Sequence, residues 1–245
     1  MNSLPHLPRH RHLLFGLLLL LNSGCAVYAP SLLQTPLLKE RGTGEVGVSY
    51  HAPVSGEIHA AYSPTTHVLV MGSISGCRYS STSATSVYRF DVTQGSLGLG
   101  LYTPFGNGHW DAGLLSGAGV GGSLFQHQST SSPDEVYRST YVYVFGQPYV
   151  AWHTGPLSLG VAARFNNLYY SKFEINEVRP SGPVPKLYQA YSVFARVRGE
   201  DDTFQYQLQF GYSTPLGYQA RPGSPDVLLS SFIVGAGLVF HFGGE

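Results

Sequence analysis

Thr203-Phe204-Gln205-Tyr206-Gln207-Leu208-Gln209-Phe210-Gly211-Tyr212-Ser213 sets every large apolar side chain at an even position and every polar residue or glycine at an odd one. A period of two is the signature of a β-strand with two unlike faces. A tilted strand of about 9–11 residues crosses a bilayer, so the stretch has the length of a transmembrane strand as well as its pattern. Alternation alone does not say which face is outside. Composition does: only 11% of the 245 residues are charged, against about 25% in an average soluble protein. A soluble surface needs charges, whereas a lipid-facing one must avoid them. The 30 glycines and 13% aromatics agree, since aromatic girdles mark the interfaces of membrane barrels.

The first residues indicate export. Arg9-His10-Arg11-His12 is basic, and Leu13 to Leu21 is an apolar core too short to span as a helix. Asn22-Ser23-Gly24-Cys25 resembles the lipobox of bacterial lipoproteins, although Asn22 stands where that pattern prefers leucine. The resemblance implies cleavage before Cys25 and lipid on its sulfur. The expected organisation is a signal peptide over 1–24, a periplasmic tether over 25–43 and a barrel over 44–243. Cleavage removes Arg9 and Arg11 from the 14 basic residues and none of the 14 acidic ones, leaving a formal charge of −2. That balance carries no nucleic-acid footprint. With Cys25 lipidated, Cys77 has no partner for a disulfide.

Pro30 and Pro36 disfavour a helix in the tether. Cys25, Tyr28-Ala29-Pro30, Thr35-Pro36-Leu37-Leu38 and Lys39-Glu40-Arg41-Gly42, before a strand opening at Glu45-Val46, resemble the start of a family of uncharacterised outer-membrane β-barrel lipoproteins of Gram-negative bacteria. The resemblance implies a fold and a location, and no activity.

Turn signals divide the remainder into ten strands. The first hairpin sends Val46, Val48, Tyr50, Ile58, Ala60 and Tyr62 to one face, and the third strand sends Val68, Val70 and Ile74 there. Cys77 to Ser86 is a polar loop. Strand four, Val87 to Tyr102, changes phase: Tyr88, Phe90 and Val92 are even, Leu97, Leu99 and Leu101 odd, which calls for a bulge near Gly95. Strand five alternates Trp110, Ala112, Leu114, Ala118 and Val120 with glycines. A loop over 126–135 precedes strand six, which is apolar on both faces, so its facing stays open. Strands seven, eight and ten send Leu159, Val161, Val193, Val197, Leu238 and Phe240 outward, with a loop over 171–190 before strand eight. The terminal strand, about 227–242, resembles an outer-membrane assembly signal. An even count returns the carboxyl end to the side of entry, and short turns alternate with longer loops, so both termini are expected in the periplasm. Tyr62, Tyr102, Trp110 and Trp152 form one expected girdle; Tyr50, Tyr88, Tyr169, Tyr191 and Tyr212 form the other.

Candidate chemistry is sparse. Gly117 to Gly122 contains G-x-G-x-x-G, but inside a strand pattern with no helix following, so a phosphate cradle is not expected. His51, His59, Glu57 and Glu45 face inward together without metal-ligand spacing. Arg89, Asp91, Arg164, Arg196 and Arg198 are expected to pair with Glu and Gln inside the barrel. A rim hydrolase would use His51, Asp91, His127 or Asp134, among which the sequence shows no pairing. An open pore is disfavoured, because eight strands enclose a lumen that side chains fill and ten add little. The expectation is therefore an all-β, antiparallel transmembrane β-barrel of about ten strands in the outer membrane, a structural or interaction protein without catalysis, metal or cofactor. Its partners are outer-membrane lipid, the barrel assembly machinery and an extracellular partner of unspecified kind, with no nucleic acid. The alternatives are a soluble periplasmic barrel holding an apolar ligand and the rim hydrolase.

Overall fold

The computed structural model describes residues 28, 31–38, 40–51, 55–130, 133–180, 184, 186–199, 203–217 and 231–243. The signal peptide and Cys25 lie outside them. Ten strands follow: β1 (Gly44–His51), β2 (Ser55–Thr65), β3 (Val68–Thr82), β4 (Ser86–Phe105), β5 (Trp110–Ser129), β6 (Glu135–Thr154), β7 (Leu157–Ile175), β8 (Leu187–Arg198), β9 (Phe204–Pro215) and β10 (Ser231–Phe242). Each pairs antiparallel with its sequence neighbours. β1 closes on β10 from Gly44↔Phe242 to His51↔Gly235, so no strand edge stays open.

The faces are those of a barrel in lipid. Ile74 and Leu97 point outward at 67% and 75% exposure, with Val48, Val120, Leu208 and Phe232 on the same outer belt. Glu45, Glu57, His59, Arg164, Arg196 and Gln207 point inward and are at most 4% exposed. This overturns the soluble-barrel alternative, whose apolar face must line the interior. Trp110, Phe105, Phe240, Phe242 and Tyr62 ring the end with the short turns, and Tyr50, Tyr169, Tyr191 and Tyr212 ring the other. Tyr102 is a correction to the expected girdle: it turns inward, within 2.9 Å of the Ser63 hydroxyl.

Strands β3 to β7 continue past the second girdle, at 15, 20, 20, 20 and 19 residues. Charged outward side chains gather at one level on four of them: Arg78 stands opposite Asp91 and Arg138 opposite Glu174, with Leu124 of β5 between the two pairs. Three expectations change here. Within the polar segments 77–86, 126–135 and 171–190, residues 77–82, 126–129, 171–175 and 187–190 are strand, because Thr and Tyr pair readily in a ladder above the bilayer. The bulge at Gly95 is absent, and the β3–β4 and β4–β5 registers run unbroken through it. The apparent phase change marks the strand leaving lipid: Arg89, Asp91 and Thr93 take the outer face, while Val92 continues the inner one. Arg89 and Asp91 therefore pair outside the barrel, with Arg78, rather than in the lumen.

The facing of β6 is settled by its neighbour. Tyr141, Tyr143, Phe145 and Tyr149 turn inward, opposite Gly121, Gly119, Gly117 and Gly113 of β5. A Cβ at Gly119 would collide with the Tyr143 ring and stand 2.5 Å from the Gly95 carbonyl oxygen. Each ring lies on the bare backbone of a glycine, so the G-x-G-x-x-G stretch serves packing within a strand. Gly119→Ala is expected to destabilise the barrel by about 1–3 kcal/mol, as overpacking does. Gly146→Ala, whose added Cβ would meet nothing within 4 Å, should be near neutral; urea unfolding in detergent micelles separates the two.

Candidate functional site: the occupied lumen

The segment expected as a tether lies inside the barrel: Tyr28 and every residue from Ser31 to Leu38 are buried. Pro36, read as a mark of an extended linker, also suits a segment that runs through a cavity and forms no ladder. Such a segment must find hydrogen-bond partners for its backbone, and the wall supplies them from side chains. Four successive carbonyls each accept one: Leu33 from Gln209 Nε2 at 3.4 Å, Gln34 from Gln147 Nε2 at 2.8 Å, Thr35 from Arg196 Nη2 at 2.9 Å and Pro36 from the Tyr149 hydroxyl at 3.4 Å. The Leu32 amide donates to Glu57 Oε2 at 3.1 Å, and the Gln34 amide side chain to the Ser49 hydroxyl at 3.4 Å. The residues that satisfy the segment come from β1, β2, β6, β7, β8 and β9.

Two arginines organise this wall. Arg196 donates from Nη1 to Glu45 Oε2 at 2.9 Å and from Nε to Gln207 Oε1 at 2.8 Å, while its third nitrogen reaches Thr35. Glu45 also has His59 Nε2 at 3.5 Å and His241 Nε2 at 3.7 Å. Arg164 donates from Nε to Gln147 Oε1 at 2.7 Å and from Nη1 to the Ser31 hydroxyl at 3.4 Å, and its guanidinium lies 4.7 Å from the centre of the Phe145 ring. The arginine positions are fixed by period-two alternation on β7 and β8. Apolar side chains of the segment fill what remains: Leu33, Leu37 and Leu38 join the buried cluster, and a Cβ at Gly235 would stand 2.8 Å from Leu32 Cδ2.

The sequence candidates divide accordingly. His51, Glu45, Glu57 and His59 do line the lumen, and Arg164 and Arg196 do pair with Glu and Gln. The rim candidates stay apart: Asp91 pairs with Arg78 and Arg89, His127 stacks on Tyr88 at 4.2 Å, and Asp134 accepts from Gln128 at 3.4 Å. One group was missed. Near the short turns, His153 Nε2 lies 2.7 Å from Asp111 Oδ2 and Nδ1 lies 2.8 Å from the Ser158 hydroxyl. The order carboxylate, imidazole, hydroxyl is that of an activated nucleophile, but all three are at most 7% exposed and tie β5, β6 and β7 together. His153 and Ser158 flank a tight turn in the sequence; Asp111 joins them only through the β5–β6 register.

No family model and no curated protein matches the chain. Among solved structures it is similar to an outer membrane channel from Pseudomonas putida, at 11% identity and a TM-score of 0.42 over 85% of this chain and 100% of that one. It is also similar to a major outer membrane protein from Thermus thermophilus, at 8% identity and a TM-score of 0.40 over 82% and 98%. A third is the translocator domain of the autotransporter NalP from Neisseria meningitidis, at 9% identity and a TM-score of 0.39 over 95% and 96%. At these scores the likenesses carry nothing about activity, which rests on this chain's own lumen.

Removing the central cation tests the network. Arg196→Met leaves Glu45 buried without its guanidinium and should cost about 3–5 kcal/mol. Combining it with Glu45→Gln should recover much of that loss, read as the urea midpoint of the barrel in micelles.

Proposed function

We propose that this protein is an outer-membrane β-barrel lipoprotein of structural or interaction type, lipidated at Cys25, whose lumen is closed by its own amino-terminal segment. The observation that carries this reading is the unbroken burial of residues 31–38 among wall side chains that bond to four consecutive carbonyls. A wall that satisfies a peptide backbone in this way puts the peptide where an aqueous path would run. The outer membrane is favoured by strands that cross lipid, a polar closed interior and an exported amino end. The orientation follows the connections: the tight turns at 155–156 and 66–67 face the periplasm, and the strand ends at Ile175, Leu187, Pro215 and Ser231, between which the chain is longer, face outward.

Function then lies in what the barrel holds outside. The extension of β3 to β7 carries paired charges on one side and an apolar inner side with Tyr137, Phe173, Phe125 and Ile175. This surface suits contact with an extracellular partner. Catalysis is not inferred, because the rim candidates are separated and the Asp111–His153–Ser158 group is enclosed.

Planar-bilayer recording tests the closed lumen. The full mature chain should give no stable conductance steps. A chain lacking residues 31–38, its assembly checked by heat-modifiable gel migration, should give ohmic steps. Equal steps from both would contradict the reading.

A further inference from the structure

The segment enters the lumen from the side opposite the expected one. Tyr28 is 3% exposed, with its ring 4.7 Å from Tyr188 and 6.0 Å from Tyr141. Tyr188, the second residue of β8, pairs with Pro215, the last residue of β9, at the mouth with the long connections. Thr35 meets Arg196, near the far end of the same strand. Tyr188 and Arg196 stand eight positions apart on β8, about 26 Å at ~3.3 Å per residue. The chain therefore descends from the long-loop mouth to the short-turn mouth, and there it turns into β1.

Cys25 precedes Tyr28 by three residues, which reach at most about 11 Å. That does not reach back to the level of Arg196, roughly 20 Å away along the barrel axis for a strand tilted by ~40°, where the segment already occupies the lumen. We propose that the amino end of the mature chain leaves through the long-loop mouth, so that it is displayed at the cell surface and the lipid on Cys25 enters the outer leaflet. This rests on the outer-membrane reading above, which decides which mouth is outside, and it reverses the expected periplasmic amino terminus.

The shape of the rim provides the exit for the lipid. Among the described residues the barrel is taller on the β3–β7 side: β8, β9 and β10 have 12 residues each, β1 has 8 and β2 has 11. Tyr28 lies against Tyr188 on the low side, next to the outer girdle formed by Tyr191 and Tyr212. A chain leaving there meets the headgroup level of the outer leaflet within a few residues, and an acyl chain on Cys25 passes over the low rim into hydrocarbon.

The test is labelling of intact cells with a membrane-impermeant maleimide, in a Cys77→Ser background. A Gly-Ser-Cys-Gly insertion between Ala26 and Val27 should label equally before and after lysis. Arg41→Cys, on an exposed residue at the short-turn end, should label only after lysis. Alkyne-palmitate incorporation that is lost in Cys25→Ser should be found on the same surface-labelled chains. If membrane-recovered, heat-modifiable protein labels at the insertion only after lysis, the proposal falls and the outer-membrane reading stands. If the protein is recovered as soluble, both fall. Surface labelling without palmitate removes the lipid half of the proposal.

Discussion

Everything in this barrel follows from one constraint: with hydrocarbon outside, every polar group that the strands turn inward must find its partner inside. The strands turn in Arg164, Arg196, several glutamines, Glu45 and Glu57. Arg196 alone has Glu45, Gln207 and the Thr35 carbonyl to satisfy its guanidinium. The wall by itself does not complete that count. The amino-terminal segment does, through carbonyls that side chains of β6, β8 and β9 reach in turn.

The same constraint separates the two halves of the lumen. On the β5–β6 side the aromatic rings of Tyr141, Tyr143, Phe145 and Tyr149 lie on glycines, which narrows the space without adding charge. On the β8–β1 side glutamines, Arg196 and Glu45 face a peptide backbone. Between these unlike walls the segment presents leucines and carbonyls together. Burial of the segment in the lumen and its descent from the long-loop mouth are thus one structural fact, with consequences for conductance and for where the amino end lies.

Much of the fold was legible. Strict alternation in residues 203–213 fixed the faces of β9, and the low charge put the apolar face outside. The bulge at Gly95 was misread because alternation was followed as though the whole of β4 lay in lipid, whereas Arg89 and Asp91 mark its exit. The facing of β6 was ambiguous in its own residues. The decisive signal stood on β5, where Gly121, Gly119, Gly117 and Gly113 leave room for four inward rings of β6. The inserted segment was not legible as such, because prolines, leucines and small polar residues compose a linker and a buried strap equally well. Gln147, Gln209 and Arg196 likewise read as ordinary lumen residues until the carbonyls they serve were in place.

The most direct test of the central claim is a thiol-to-thiol bridge between segment and wall, in the Cys77→Ser background. Leu32→Cys with Gly235→Cys places two thiols where a Cβ at Gly235 would lie 2.8 Å from Leu32 Cδ2. Dibromobimane, which fluoresces once both its arms have reacted, should light up the assembled, heat-modifiable barrel. The control pair Ser49→Cys and Gly237→Cys, two wall positions whose Cβ atoms would lie 2.8 Å apart, should do the same. Fluorescence from the control pair alone would contradict a lumen occupied by residues 31–38.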